Sequence, residues 1–480
     1  MHPNSFVPSR RDLLCQTGFG VGAMGLASLL SQDSVAAPSK PGENLPLSLS
    51  PRAGHHAPRA TAMISLFMHG GPSHVDLLDP KPNLSKFTGT DYQGDVHFSF
   101  VNRASKKLFG TPWKFSKHGR SGTEISELLP YTARVADDIC VIRSMQTGHN
   151  GHEVSIRYFH GGIAGVTGRP TLGSWMVYGL GSESRDLPAY LVLSDPGGHP
   201  VDGTHNWSSG FMPSLYQGTV LRPKEPRIPF LDRPTGVSVA VQRRNLGLLA
   251  EMNKRHATEY SAEPDLNSRI ASYELAARMQ LSASDALDVS RETAEVHRLY
   301  GLDNDATREY GTRCLIARRL VERGVRFVQM FLGGQPWDNH TTIKDGLPAI
   351  CRRTDQPAAA LVTDLKRLGM LDTTLVHWGG EIGRLPVCEG ALDANAGRDH
   401  NGQGFSIWMA GGGIKGGMTY GNTDDVGHRA VDNVVNPNDF QATVLHLMGI
   451  NHERLEFHAN GRVSRLIDGK KAHVVQEILC

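Results

Sequence analysis

Thr374-Leu375-Val376-His377-Trp378-Gly379-Gly380-Glu381-Ile382-Gly383-Arg384 joins an apolar run to a glycine-flanked carboxylate. The run from Thr374 to Trp378 reads as a buried strand. The glycines after it let the backbone turn and approach a ligand closely. Open α/β sheets build their sites at such strand exits. Two further stretches share the pattern. Gln335-Pro336-Trp337-Asp338-Asn339-His340 follows the apolar run Val325 to Phe331, and Gly397-Arg398-Asp399-His400-Asn401-Gly402 precedes the run Phe405 to Met409. Asp, Glu and His are hard-to-borderline metal ligands, so the three together predict a metal-centred site on a doubly wound sheet.

Outward from these stretches, strands and helices alternate. Strands are expected at Ala62 to Met68, Ile139 to Ile142 and Ala189 to Leu193, besides the three already named. Helical spacing covers Glu124 to Ala136, Thr171 to Tyr178, Ala358 to Leu368 and Phe440 to Met448. Gly197 to Phe230 reads as a long loop. A helical block runs from Ala240 to about Glu322. Alternation with apolar strands predicts an α/β fold, with a mostly parallel sheet covered on both faces. The strands ending near His69, Phe331, Trp378 and Met409 should share that sheet and send their polar exits to one rim. Domain limits are expected at 1–36 for a signal peptide, 37–60 for a linker and 61–465 for the α/β domain, with 240–322 as a helical insertion and 466–480 as a tail.

A formal charge of +2 provides no basic field for nucleic acid. At 39% hydrophobic and 20% charged the chain has ordinary globular composition. Ser9-Arg10-Arg11-Asp12-Leu13-Leu14 precedes a weakly apolar, glycine-laced stretch from Phe19 to Leu30, the pattern of a Tat export signal. That stretch is too short and glycine-rich to span a bilayer, and Ser34 and Ala36 suit cleavage before Ala37. Cys15 lies ahead of the apolar run, which argues against a lipoprotein anchor. The expected location is therefore periplasmic or extracellular, with the Tat translocase as a partner and no stable membrane anchor. Cys140, Cys314, Cys351, Cys388 and Cys480 remain after processing. They form no CxxC, and a chain folded before export is expected to keep them as buried thiols.

Each candidate ligand has an ordinary reading beside the functional one. Asp338 and His340 suit one ion, or a surface hydrogen bond. Glu381 is a ligand, or a capping residue paired with Arg384. Asp399 is a ligand, or a group that orients the His400 imidazole.

The segment from Asp355 to Gly383, and Asp399-His400-Asn401-Gly402 with the strand behind it, resemble the alkaline phosphatase–sulfatase superfamily. Asp439 to Ile450 is similar to the helix that closes that domain. A closer likeness rests on His69-Gly70-Gly71-Pro72-Ser73-His74-Val75-Asp76 with Asp79-Pro80-Lys81-Pro82, Arg143-Ser144-Met145, the Trp337-Asp338-Asn339-His340 loop and Gly380-Glu381-Ile382-Gly383-Arg384. Together they resemble a Tat-exported domain-of-unknown-function family within that superfamily, across nearly the whole chain.

The resemblance implies an alkaline-phosphatase-like sheet and a divalent metal of the zinc, calcium or manganese kind. It implies metal ligands among His69, Asp338, His340, Glu381, Asp399 and His400. Two departures stand out: Ile382 cannot ligate, and His69 occupies a position where the superfamily has aspartate. No Cys/Ser-x-Pro-x-Arg segment occurs, so the sulfatase formylglycine nucleophile is missing. The expected catalytic groups are Thr147, as a hydroxyl near a helix N-terminus, His152 as acid, base or ligand, and Arg384 as a clamp on anionic oxygens. His149 and Ser73 are further candidates. The implied function is hydrolysis of a phosphate or sulfate ester. The alternative is a non-catalytic binding protein for a sulfated glycan or a secreted partner.

Overall fold

The computed structural model describes residues 44–480 apart from 100, 230, 232–234, 261–262 and 460. The expected signal segment lies outside the described residues. Eight strands form one central sheet: β1 (Ala62–Phe67), β2 (Ile139–Met145), β3 (Tyr190–Leu193), β4 (Thr219–Leu221), β5 (Phe327–Phe331), β6 (Thr374–Gly379), β7 (Phe405–Ala410) and β8 (Met418–Tyr420). Their spatial order is β8-β2-β7-β6-β1-β5-β3-β4. β1 lies parallel between β5 and β6, with Phe67 level with both Phe331 and Gly379. Only β7 is antiparallel to its neighbours, β2 and β6. Every residue of β1, β2, β5, β6 and β7 is buried, as a sheet covered on both faces requires. The mostly parallel, doubly wound α/β architecture expected from the apolar runs is what the chain adopts.

One expectation about the rim changes. Because β7 runs antiparallel, its entry end, not its exit at Met409, meets the carboxyl ends of β1, β5 and β6. That reversal carries Asp399 and His400, just ahead of β7, to the rim where His69, Asp338 and Glu381 emerge.

The helices include α1 (His152–Gly161), α2 (Leu172–Leu180), α3 (Val239–Glu259), α4 (Pro264–Leu287), α5 (Arg308–Glu322), α6 (Ile343–Arg367) and α7 (Pro437–Leu447). The block read as one helical insertion has two characters. α3 buries only Gln242, Leu246 and Leu249, whereas α5 buries most of its length, including Cys314, Leu315 and Ile316. The expected helix over Glu124 to Ala136 is not formed. Thr123–Ser126 pairs as a strand with Phe115–His118, and a short 3-10 turn follows at Thr132–Val135. Pro130 lies between them and disfavours helix for itself and the residue before it. Within the expected tail, Leu466, Ile467, Val475 and Ile478 are buried in one of the two large apolar clusters of the domain. Cys140, Cys314, Cys351 and Cys388 are buried free thiols and Cys480 is exposed. Among the described residues no helix is long and apolar enough to cross a membrane.

Candidate metal centre

Three rim segments bring the site together. Asp338 and His340 come from the loop after β5, His152 opens α1, and His400 leads toward β7. The β5 loop is held from beneath by Trp337, which is 1% exposed and lies edge-on to Trp378 at 5.7 Å. Gly70 permits the approach of that loop to the β1 exit. Its φ is +109°, and a Cβ there would lie 2.8 Å from the Asp338 amide nitrogen. Here glycine meets both a positive φ and a close backbone approach.

Asp338 is the hub. Its Oδ1 lies 2.9 Å from His340 Nε2, 3.1 Å from His400 Nε2 and 2.5 Å from an Arg384 nitrogen. Its Oδ2 lies 3.4 Å from His152 Nε2. His340 Nε2 and His400 Nε2 face each other at 3.0 Å. The far nitrogen of each imidazole is tied to an oxygen: His152 Nδ1 to Glu381 Oε1 at 2.6 Å, His340 Nδ1 to Glu389 Oε2, and His400 Nδ1 to Ser99 Oγ at 3.1 Å. A carboxylate at Nδ1 holds the proton there and turns the Nε2 lone pair the other way. Candidate ligand atoms of His152, Asp338 and His400 lie within 4.8 Å of one another, as do those of His340, Asp399 and His400.

The remaining expected residues are placed differently. Glu381 is fully buried behind His152; its Oε1 also accepts the Gly70 N–H at 3.1 Å, and its Oε2 has no hydrogen-bond partner among the described residues. Asp399 accepts the His400 and Ser99 backbone N–H groups, each at 2.7 Å, which is the orienting reading of that residue. His69 is buried and its Nε2 accepts the Val201 N–H at 3.2 Å, so that lone pair is already engaged.

Arg384, expected as an anion clamp, is 0% exposed and bonds the Gly70, Gly71 and Arg398 carbonyls besides Asp338. It positions the carboxylate and presents no free face to a ligand. Thr147 lies short of the helix, whose first residue is His152, and its hydroxyl donates to the His149 carbonyl at 3.1 Å. Ser73 donates to Asp76 at 2.6 Å, and Asp76 in turn is paired with Arg398, both fully buried. Sequence reasoning missed Glu389 and Ser99. Glu389 precedes Gly390 but lies outside the three stretches read as strand exits, Ser99 lies in no motif, and their partners His340 and His400 are 49 and 301 residues away in the chain.

Burial and charge pull against each other here. Burial lowers the His400 imidazole to about 4, although Asp338 partly opposes it. Burial also acts on His152, but its hydrogen bonds to the Asp338 and Glu381 carboxylates prevail and raise it to about 9. Burial would raise the Asp338 carboxyl, yet its three imidazole partners and Arg384 hold it far below the usual carboxylate range. Such perturbed groups cluster at functional sites more often than elsewhere.

Solved structures to which the chain is similar include a PsFucS1 sulfatase from Pseudoalteromonas sp., with a TM-score of 0.33 and 11% identity. That match covers 68% of this chain and 63% of the sulfatase, so the chain spans less than two thirds of its length. Phosphonate monoester hydrolase SpPMH from Silicibacter pomeroyi matches at 0.32 and 10%, covering 73% of this chain and 71% of the hydrolase. Alkaline phosphatase from the Antarctic bacterium TAB5 matches at 0.33 and 11%, covering 82% and 99%. No match is found among curated proteins. The family model described as "Protein of unknown function (DUF1501)" matches residues 60–479, nearly the whole described chain, and on that match the protein belongs to the DUF1501 family.

Proposed function

We propose that this chain is an exported, metal-dependent hydrolase-like protein acting on a phosphate or sulfate ester. One observation carries the reading: three imidazole nitrogens converge on Asp338 while an oxygen holds the opposite nitrogen of each ring. Histidines that meet only a carboxylate need no such backing. Backed histidines aimed at one point are how proteins orient ligands to a cation. The donors also fit the group, since His152, Asp338, His340 and His400 offer three imidazoles and one carboxylate. That set suits zinc or manganese better than calcium, which favours oxygen ligands throughout.

When bound, a divalent ion would supply Lewis acidity to polarise an ester oxygen and lower the pKa of a water. The protein's own part is orientation. Glu381 holds the Nδ1 proton of His152, and Arg384 fixes Asp338 against the β1 exit. Asp399 pins the backbone of His400. Substrate would be a small anionic ester or a sulfated glycan, met in the periplasm or outside the cell after passage through the Tat translocase.

A specific observation favours a second reading, a non-catalytic binding protein on the same fold. The Arg384 guanidinium is wholly engaged and the Thr147 hydroxyl is already bonded. Neither the expected clamp nor the expected nucleophile is therefore free.

The two are separated by His400→Ala, because a rim ligand can be removed without opening the core. Elemental analysis is expected to show lost metal, circular dichroism an unchanged fold, and aryl phosphate or aryl sulfate hydrolysis falling to background. Wild-type protein that holds a stoichiometric ion yet turns over nothing on a broad ester panel supports the binding role. Wild-type protein that contains no ion and gains none on titration overturns the metal reading itself.

A further inference from the structure

Glu389 carries no motif in the sequence, yet it is the most completely enclosed acidic group behind a candidate ligand that the sequence does not flag. Its side chain is 1% exposed. Oε2 is hydrogen-bonded to His340 Nδ1, whereas Oε1 has no hydrogen-bond partner among the described residues, and its nearest cation is Arg103 at 3.6 Å. The Arg103 side chain is 61% exposed, so most of its charge faces solvent. A buried carboxylate with so little compensation is costly unless a cation lies within reach through its partner. The partner directs Nε2 toward Asp338 at 2.9 Å and His400 at 3.0 Å.

The backbone that holds Glu389 is built for the purpose. Its amide donates to the Gly397 carbonyl at 2.9 Å, and the neighbouring Cys388 amide donates to the Lys107 carbonyl at 2.9 Å. Gly397 in turn packs directly on the His340 carbonyl carbon, where an added Cβ would come within 2.2 Å. The same short bridge thus fixes the carboxylate and the backbone of the histidine it addresses.

We propose that Glu389 is the positioning residue for His340: it holds the Nδ1 proton, turns Nε2 into the centre and makes that nitrogen a stronger donor to a divalent ion. The proposal rests on the metal reading above and names a determinant of affinity within it. Glu381 serves His152 through the same carboxylate–imidazole contact, which makes the arrangement a repeated device of this site.

The test uses full-length mature protein, Co(II) as the probe ion, and two variants. Glu389→Gln keeps an acceptor for Nδ1 but removes the charge; Glu389→Met removes both at similar size. Competition against a chelating dye is expected to rank affinity as wild type, then Gln, then Met. The loss for Met should be about 10- to 100-fold, the range for outer partners of metal-bound histidines. The visible d–d bands of bound Co(II) should shift in the same order, a signature that a merely structural side chain would leave in place. Wild-type affinity and an unchanged spectrum in Glu389→Gln overturn the proposal while leaving the metal centre standing. Wild-type protein that binds no Co(II) overturns both. If Glu389→Met fails to fold, the Gln variant decides alone.

Discussion

Four acceptors surround the Arg384 guanidinium: the Gly70, Gly71 and Arg398 carbonyls and Asp338 Oδ1. Only a planar, multiply donating group can meet carbonyls on three sides and a carboxylate at once. Arg384→Met would leave those carbonyls without a donor and Asp338 without its guanidinium. Removing one partner of a buried charge pair costs about 3–5 kcal/mol. Since Asp338 is one-fifth exposed, a loss of about 3 kcal/mol is expected in urea unfolding, with an unchanged denaturant slope. A loss below about 1 kcal/mol would show that the guanidinium does not hold the rim together. The sequence placed Arg384 at the site but could not tell which way it faces. Direction depends on the β1 exit, more than 300 residues away in the chain. For the same reason Asp338, His340 and His400 were legible as Asp/His motifs next to apolar strands, whereas the pairing of Glu389 with His340 and of Ser99 with His400 is made only in the fold.

Between elements, the close approaches are set by glycine. Gly397 stands against the His340–Thr341 peptide, with an added Cβ 2.2 Å from the His340 carbonyl atoms and 2.4 Å from the Thr341 nitrogen. Backbone on both sides cannot swing away as a flexible side chain could. Gly397→Ala is therefore expected to displace the His340 loop, destabilise the fold by about 1–3 kcal/mol and weaken metal binding by more than that loss explains. Thermal melts of the metal-free protein and Co(II) titration measure the two effects separately. Tight Co(II) binding in a destabilised Gly397→Ala would mean the bridge matters for folding alone. Strands of this sheet were readable because uniform burial writes itself as continuous apolar runs, as in β1, β6 and β7. The β7 direction was not, since a strand's apolar pattern is the same in either sense. Helix α1 was expected only from the resemblance, near Thr147, and begins at His152; spacing alone does not show it, because its first turn carries His152 and Glu153 beside Gly151 ahead of the buried Ile156, Tyr158 and Phe159.

Across the whole molecule, buried neutral histidines make stability depend on pH. His377 lies in the middle of β6, hydrogen-bonded to Ser65 at 3.1 Å and stacked on Phe159 at 5.4 Å. Burial, with His160 nearby, pushes its imidazole down to about 3. Burial likewise takes His160 to about 4, against the opposing hydrogen bond that its Nδ1 makes to the Asn206 side-chain oxygen. Both values lie below the ordinary 6.5, so the unfolded chain binds more protons as pH falls from about 6.5. Their contribution is complete above that pH and is lost progressively as pH drops toward about 4 for His160 and about 3 for His377. At pH 5 each costs about 2 kcal/mol relative to neutral pH. In the metal-free protein His152 acts in the opposite sense: raised to about 9, it contributes below about 6.5 and loses that contribution as pH rises through 9. A comparison of variants cancels such background. His377→Gln keeps a polar partner for Ser65 and cannot be protonated, so its urea midpoint should fall less between pH 7 and pH 5, by a difference worth about 2 kcal/mol. Parallel pH curves for wild type and variant would mean that His377 is already charged in the folded core, or that its strand opens well before the rest of the sheet. Because β6 pairs with β1 along its full length, local opening of that strand alone would break the centre of the sheet, and the shifted curve is the expected outcome.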